Sequence, residues 1–196
     1  MGRTMARIEK ANLRIEGRET WLVPFSREHM NDPAYIGWLR NPDIVRTLNL
    51  PHYLNAPVPF EEVQNYCNAA MASATDLFLA LHYAEDGSFI GTVKAAYINS
   101  YAGTADIGIM IGRQDLWGRG LASDALASLC GYLLGSGGLR RLTAGVMAVN
   151  PGMIRVFEKL GFVREGVFRE QDRIGDDFCD HIHLGCLKAE FTGAVQ

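Results

Sequence analysis

The chain has 196 residues, of which 48% are hydrophobic and 21% charged, and its formal net charge is −3. This length favours a single domain, and the composition is typical of a globular protein rather than a disordered one. The small negative charge argues against a general nucleic-acid-binding protein, for which a basic excess is typical.

We recognise no targeting signal and no redox or zinc motif of cysteines in the sequence. No apolar run approaches the roughly 20 residues of a membrane helix, and the first residues lack the apolar stretch of a secretory signal. Ala6 stands where a myristoylation signal carries Ser or Thr. The four cysteines form no C-x-x-C pair and have no histidine partner at zinc-finger spacing. We therefore expect a cytoplasmic protein with reduced thiols and without a metal site, a membrane partner or a nucleic-acid partner.

The first half of the chain predicts a strand, several short helices and an antiparallel meander. Residues 18–25 have the pattern of a strand, and the following apolar residues have helical spacing that Pro33 and Pro42 interrupt. Residues 59–72 predict a helix with acidic residues in its first turn. Turn-forming residues then separate three strands, which we expect at 77–83, 89–98 and 104–112.

The second half alternates helices and strands. We expect a helix at about 120–135, with Ala122, Leu126, Leu129, Cys130 and Leu133 on its apolar face, and a strand at 141–149. A second helix should span 150–160, because Asn150 is a good N-cap and Gly161 suits a left-handed C-cap. Two final strands should follow, at about 162–172 and 178–188. The predicted fold class is α/β, with antiparallel strands early and a strand–helix–strand–helix–strand unit late.

The stretch "QDLWGRGLASDAL" (114–126) places two glycines directly before a helix. Backbone amides at an uncapped helix start have no intrahelical acceptor, and Gly118 and Gly120 leave them bare, so a phosphate could bind there. The alternative is a loop that only needs glycine torsions. Walker and dinucleotide motifs do not fit, because the turn lacks Gly-Lys-Ser/Thr and Ser123 occupies the last glycine position.

Two motifs resemble those of the GNAT N-acetyltransferases, especially their RimJ/RimL-like branch. "WGRGLA" (117–122) is similar to the acetyl-CoA signature Q/R-x-x-G-x-G/A, and "VNPGMIRVFEKLGFVREG" (149–166) resembles the second hallmark of that family. The resemblance spans roughly 18–190, which implies one acetyltransferase domain there, an N-terminal extension at 1–17 and a C-terminal tail at 191–196. It also implies a mostly antiparallel central sheet with a splayed strand pair and flanking helices.

The resemblance implies acetyl-CoA as co-substrate. The backbone amides of Gly118, Arg119, Gly120, Leu121, Ala122 and Ser123 would hold its pyrophosphate. Met110, Ile111 and Gly112 would pair with the pantetheine arm at the splayed strands, and Asn150 would lie at the cofactor edge of that opening.

Acetyl transfer to an amine requires removal of a proton, and carboxylates commonly serve as the base. Asp106 is the first candidate because relatives often carry a carboxylate there, with a solvated strand-end residue as the alternative. Asp180 is the second. His181 and His183 share one face of the last strand, where we expect a polar face rather than a metal site. The family's tyrosine acid is replaced by Phe157, so the general acid stays unassigned.

The acceptor is a primary amine, either of a small molecule such as an amino sugar or of a protein N-terminus. Trp38, His52, Tyr53 and Tyr97 are candidate lining residues of its site. A non-catalytic acyl-CoA-binding or sensor module is the alternative function, motivated by the missing tyrosine, and the sequence leaves a homodimer open.

Overall fold

The structure is a computed structural model that describes residues 8, 10, 12–48, 50, 53 and 56–193. His52 therefore lies outside the described residues. Among the described residues, no helix has the length and apolar character needed to cross a membrane.

The described residues of the N-terminal part include two strands followed by four helices. The strands are β1 (Ile15–Glu16) and β2 (Thr20–Pro24), and the helices are α1 (Arg27–Asn31), α2 (Pro33–Leu39), α3 (Pro42–Val45) and α4 (Phe60–Ala72). The predicted breaks are confirmed, since Pro33 and Pro42 each begin a new helix. Asp32 and Asn41 cap these two helices by accepting hydrogen bonds from Ala34 and Asp43.

The rest of the chain follows the predicted order. It comprises β3 (Leu77–Tyr83), β4 (Phe89–Asn99), β5 (Thr104–Ile111), a 3₁₀ turn (Gln114–Leu116), α5 (Leu121–Leu134), β6 (Arg141–Met147), α6 (Pro151–Lys159), β7 (Val163–Ile174) and β8 (Asp177–Leu187). Asn150 caps α6 through the Met153 amide, and Gly161 is left-handed with φ +94°, as predicted. Ala122 differs from the expectation, because it stays partly exposed at the start of α5 while Leu121 takes the buried position.

The eight strands form one sheet in the order β1-β2-β3-β4-β5-β6-β8-β7. All pairs are antiparallel except β5 with β6. One face packs on α5 and α6 and holds the larger apolar core, and the other face packs on α1–α4. The predicted fold class, including flanking helices on a mostly antiparallel sheet, is confirmed.

The sheet begins earlier than the predicted boundary at residue 18. Ile15 pairs with Leu22 and is only 2% exposed, so it belongs to the core. The turn after β1 is held by the Asp124 carboxylate of α5, which accepts hydrogen bonds from the Arg18 and Glu19 amides and from the Thr20 hydroxyl. Part of the predicted extension is therefore integral to the domain.

Candidate acyl-transfer site

The sheet opens in its middle, between β5 and β6. These strands pair only where Thr104–Asp106 face Arg141–Thr143, although β5 continues to Ile111 and β6 to Met147. The predicted splayed strand pair is thus present. A cavity of about 940 Å³ runs through this opening, from the start of α5 to the face covered by α2–α4.

Helix α5 starts at this cavity on uncapped backbone amides. Gly118 has φ +78° and Gly120, the N-cap, has φ +86°, and no side chain caps the helix. A Cβ atom at either glycine would meet no heavy atom of the protein within 4 Å. The left-handed backbone requires glycine at both positions, and the space beside them is open to a ligand.

Every residue predicted to bind the cofactor lines the cavity except Gly112 and Arg119. Gly112 lies under the indole ring of Trp38, which occupies the place where a Cβ would stand. The Arg119 side chain instead lies near the Tyr83 hydroxyl. The turn as a whole still faces the cavity through Gly118 and Gly120.

The backbone of β5 decides which amides face the opening. The Gly112 amide donates to the Ile90 carbonyl of β4 at 2.8 Å, so the Met110 amide, two residues earlier, also points to β4. The amides of Ile109 and Ile111 therefore point into the opening. This corrects the predicted pairing edge, which included Met110 and Gly112: Met110 lines the cavity, but its amide is directed away.

Trp117 covers one backbone group of this edge. Its indole Nε1 donates to the Ile111 carbonyl at 2.9 Å, although the residue is 45% exposed. The indole thus links the glycine turn to the end of β5 and satisfies a carbonyl that the missing strand pairing would leave free.

The two carboxylates predicted as bases lie in different environments. Asp106 lies on the face opposite Ile107, as predicted, and accepts a hydrogen bond from Thr143 Oγ1 at 2.8 Å. Burial raises the pKa of Asp106, while Thr143, His183 and His181 oppose that shift. Asp180 accepts from the Glu170 amide and lies at a separate surface depression beside Arg169. Neither carboxylate belongs to the lining of the large cavity.

Of the four predicted acceptor-site residues, Tyr53 lines the cavity, and His52 is outside the described residues. Trp38 is buried against Gly112. Tyr97 is 79% exposed and lies in β4, where the register shifts and its φ is +51°. Tyr35 and Tyr66 also line the acceptor side, and sequence analysis missed them.

The charged residues of the cavity lining are mostly cationic. Among the described residues that line it, the acidic one is Asp43, and the cationic ones are Arg46, Lys94, Arg155 and Lys159. Lys94 is paired with Asp76 at 2.9 Å. Arg155 and Lys159 lie on α6, on the same side of the sheet as the glycine turn.

A hydrogen-bonded histidine–aspartate pair that sequence analysis missed lies at the cavity wall formed by β6. His181 of β8 lines the cavity, and its Nδ1 is 2.5 Å from Oδ2 of Asp172, which is only 3% exposed. The sequence shows Asp172 as one polar residue on an exposed strand, and only the strand register brings it to His181.

An uncapped helix start behind a glycine turn lies beside an opened parallel strand pair, and this arrangement could accommodate an extended anionic ligand across the sheet. The acetyltransferase (GNAT) domain family matches residues 20–163. The chain therefore belongs to the GNAT acetyltransferase family.

Relatives and solved structures agree with this assignment. The chain is 26% identical to an uncharacterized N-acetyltransferase, p20, of Bacillus licheniformis over 153 residues, which is 78% of this chain and 85% of the relative. The fold of this chain is similar to that of RimL, a ribosomal L7/L12 alpha-N-protein acetyltransferase in complex with CoA (TM-score 0.77, 17% identity, 89% of this chain and 98% of RimL). It is also similar to a spermidine N-acetyltransferase from Vibrio cholerae in complex with CoA and spermine (TM-score 0.74, 20% identity, 88% and 97%).

Proposed function

We propose that this protein transfers the acetyl group of acetyl-CoA to a primary amine. The observation that carries the proposal is that the bare amides at the start of α5 and the opening between β5 and β6 belong to one cavity. A ligand with a pyrophosphate at one end and a thioester at the other can contact both, while its amide groups pair with Ile109 and Ile111.

The proposed cofactor lies with its pyrophosphate on the amides from Gly118 to Ser123. Arg155 and Lys159 supply positive charge on the same side, and Asn150 stands at the edge of the opening. The thioester then reaches the opening itself, where whichever of the Ile109 and Ile111 amides the rest of the cofactor leaves unpaired can donate to its carbonyl oxygen as negative charge develops.

The proposed acceptor is a small primary amine. The acceptor side presents Tyr35, Tyr53 and Tyr66, and its charged lining residues are Asp43, Arg46 and Lys94. Lys94 is paired with Asp76, so the charges on this side are largely balanced. A protein N-terminus is the competing acceptor and would need the same opening to admit a peptide.

The role of Asp106 as a base stays a prediction, as does that of Asp180. Asp106 lies beside the opening and is held by Thr143, which supports a place near the reacting amine. Asp180 has less support, because its carboxylate is engaged by the Glu170 amide away from the cavity.

A non-catalytic acyl-CoA-binding module is the second candidate. Phe157 favours it, because this buried ring lines the cavity where the family carries a phenol able to protonate the leaving thiolate. A thiol with a pKa near 8.5 needs little help to leave, however, so water can replace the phenol.

Calorimetric titration with acetyl-CoA, free CoA and ATP tests cofactor binding, and thiol release with a panel of amines tests acetyl transfer. We expect saturable binding of acetyl-CoA and turnover of a small primary amine. Binding without turnover of any small amine or N-terminal peptide would select the binding module. No binding by the folded protein would overturn both candidates.

A further inference from the structure

His181 lies where a base for the acceptor amine is needed. It pairs with Met147 of β6, the strand that forms one wall of the opening, and both residues line the cavity. Its Nε2 lies directly over Gly145, also of β6 and also in the lining, so any side chain at Gly145 would collide with the ring. The backbone of β6 therefore leaves room for this imidazole at the opening.

Asp172 holds His181 from the far side, because β7 bulges there. Phe168 pairs with His181 and Asp172 with Cys179, so residues 169–171 stand opposite the single residue Asp180. The bulge includes Glu170, whose φ is +52° and whose amide donates to the Asp180 carboxylate. Asp172 is thereby turned inward and buried, on a strand whose other side chains are mostly exposed.

The bulge, the strained Glu170 and the burial of Asp172 together place the Asp172 carboxylate within hydrogen-bond distance of His181 Nδ1. Donation from Nδ1–H to the Asp172 carboxylate fixes the tautomer of His181. Nε2, which lies over Gly145 in the cavity lining, then carries the lone pair. Asp106 differs, because its carboxylate is engaged by Thr143 and lies outside the lining.

We propose that His181, oriented by Asp172, is the general base that deprotonates the acceptor amine. The proposal rests on the proposed function. Nε2 takes one proton from the ammonium group, and the amine lone pair forms the C–N bond with the acetyl carbon. The C–S bond breaks with its electron pair on sulfur, the thiolate takes the second amine proton, and the imidazolium releases its proton to solvent. The products are an amide, CoA thiol and one proton.

Charged and titratable groups face His181 from three strands. These are Asp172 of β7, His183 of β8, whose ring centroid is 5.0 Å away, and Asp106 of β5. A pH profile of a single variant cannot separate their contributions, so each needs its own replacement.

The experiment measures kcat/KM against pH for the wild type and four variants, with the best amine of the panel. For His181→Gln we expect a loss of about 10²- to 10³-fold at neutral pH, with unchanged affinity for acetyl-CoA. This loss should shrink as pH rises, because solution then supplies the free amine. Asp172→Asn replaces the positioning carboxylate by an amide of equal size. Because asparagine no longer fixes the His181 tautomer, this variant should show the same altered pH profile with a smaller loss of kcat/KM.

His183→Gln is the comparison variant, since it replaces the neighbouring histidine on the same face, and its loss of kcat/KM at neutral pH should be much smaller than that of His181→Gln. Asp106→Asn tests whether the Asp106 carboxylate acts as the base instead of His181. If His181→Gln melts and binds acetyl-CoA like the wild type and also keeps the wild-type pH profile, then His181 is not the base, although the proposed function still stands. A wild type that binds acetyl-CoA but acetylates no amine would overturn the proposed function itself, and with it the base.

Discussion

Replacement of Gly120 by valine separates cofactor binding from folding. With φ +86°, a non-glycine residue there costs about 1–2 kcal/mol of folding free energy. The Cβ atom of the new side chain meets no protein atom within 4 Å, so we expect packing to add little to this cost. It does occupy the space in front of the first amides of α5, where we place the pyrophosphate.

The expected loss of affinity follows from the hydrogen bonds removed. A hydrogen bond to a charged group contributes about 1.5–3 kcal/mol, so the loss of two such bonds weakens acetyl-CoA binding by about 3–6 kcal/mol. That corresponds to roughly 10²- to 10⁴-fold in Kd. Calorimetric titration measures the affinity, and urea denaturation measures the unfolding free energy of the same preparation.

Gly138→Val is the matched control. Gly138 lies in the turn after α5, has φ +69°, and a Cβ there would also meet nothing within 4 Å. Both variants should therefore lose a similar 1–2 kcal/mol of stability, and only Gly120→Val should lose acetyl-CoA binding. If Gly120→Val binds acetyl-CoA as tightly as Gly138→Val, the pyrophosphate does not lie at this turn.

Three further predictions concern the frame of the site. Burial raises the pKa of Asp106, and such a group gives stability that is present below its unfolded pKa and lost as pH rises through its folded pKa. Asp106→Asn should therefore gain stability relative to the wild type between pH 3 and pH 7 in a denaturation series, and an equal difference at both pH values would contradict this. Asp124→Ala removes the acceptor of three hydrogen bonds to the turn after β1 and should cost about 2–3 kcal/mol in urea, whereas a cost under about 0.5 kcal/mol would show that the turn is held otherwise. Burial lowers the pKa of both His29 and His82, whose Nε2 atoms are 3.1 Å apart, so stability is lost as pH falls through their folded pKa values. His82→Phe should reduce the loss of melting temperature on going from pH 7 to pH 5, and a loss as steep as that of the wild type would assign it to other groups.

Features that depend on neighbours in sequence were predicted well. The start of α6 at Pro151 and its end before Gly161 follow from capping chemistry, which acts within a few residues. The glycine turn could likewise be interpreted because the amides, the glycines and the helix start lie within one short segment. The meander was predictable because each strand pairs with the next along the chain.

Features that depend on register or on distant packing were not predictable. The two residues of β1 form a strand only because β2 pairs with them, and no local pattern marks them. Trp38 resembles a site residue in the sequence, but it packs on Gly112, more than seventy positions away. Asp172 shows the same limit, because its burial results from a bulge whose register the alternation of β7 does not reveal.

The junction of three residue pairs between β5 and β6 makes the sheet two half-sheets with two internal edges. Trp117 satisfies the Ile111 carbonyl at one of these edges, and edge groups without such a partner must bond to water in the free protein. A bound ligand with amide groups at strand spacing can hydrogen-bond to these edges as an additional strand would, so it also completes the pairing of the sheet. Such a ligand at 100 times its Kd adds about 2.7 kcal/mol to stability. If the cofactor binds as we propose, its supply therefore contributes to the resistance of this protein to unfolding.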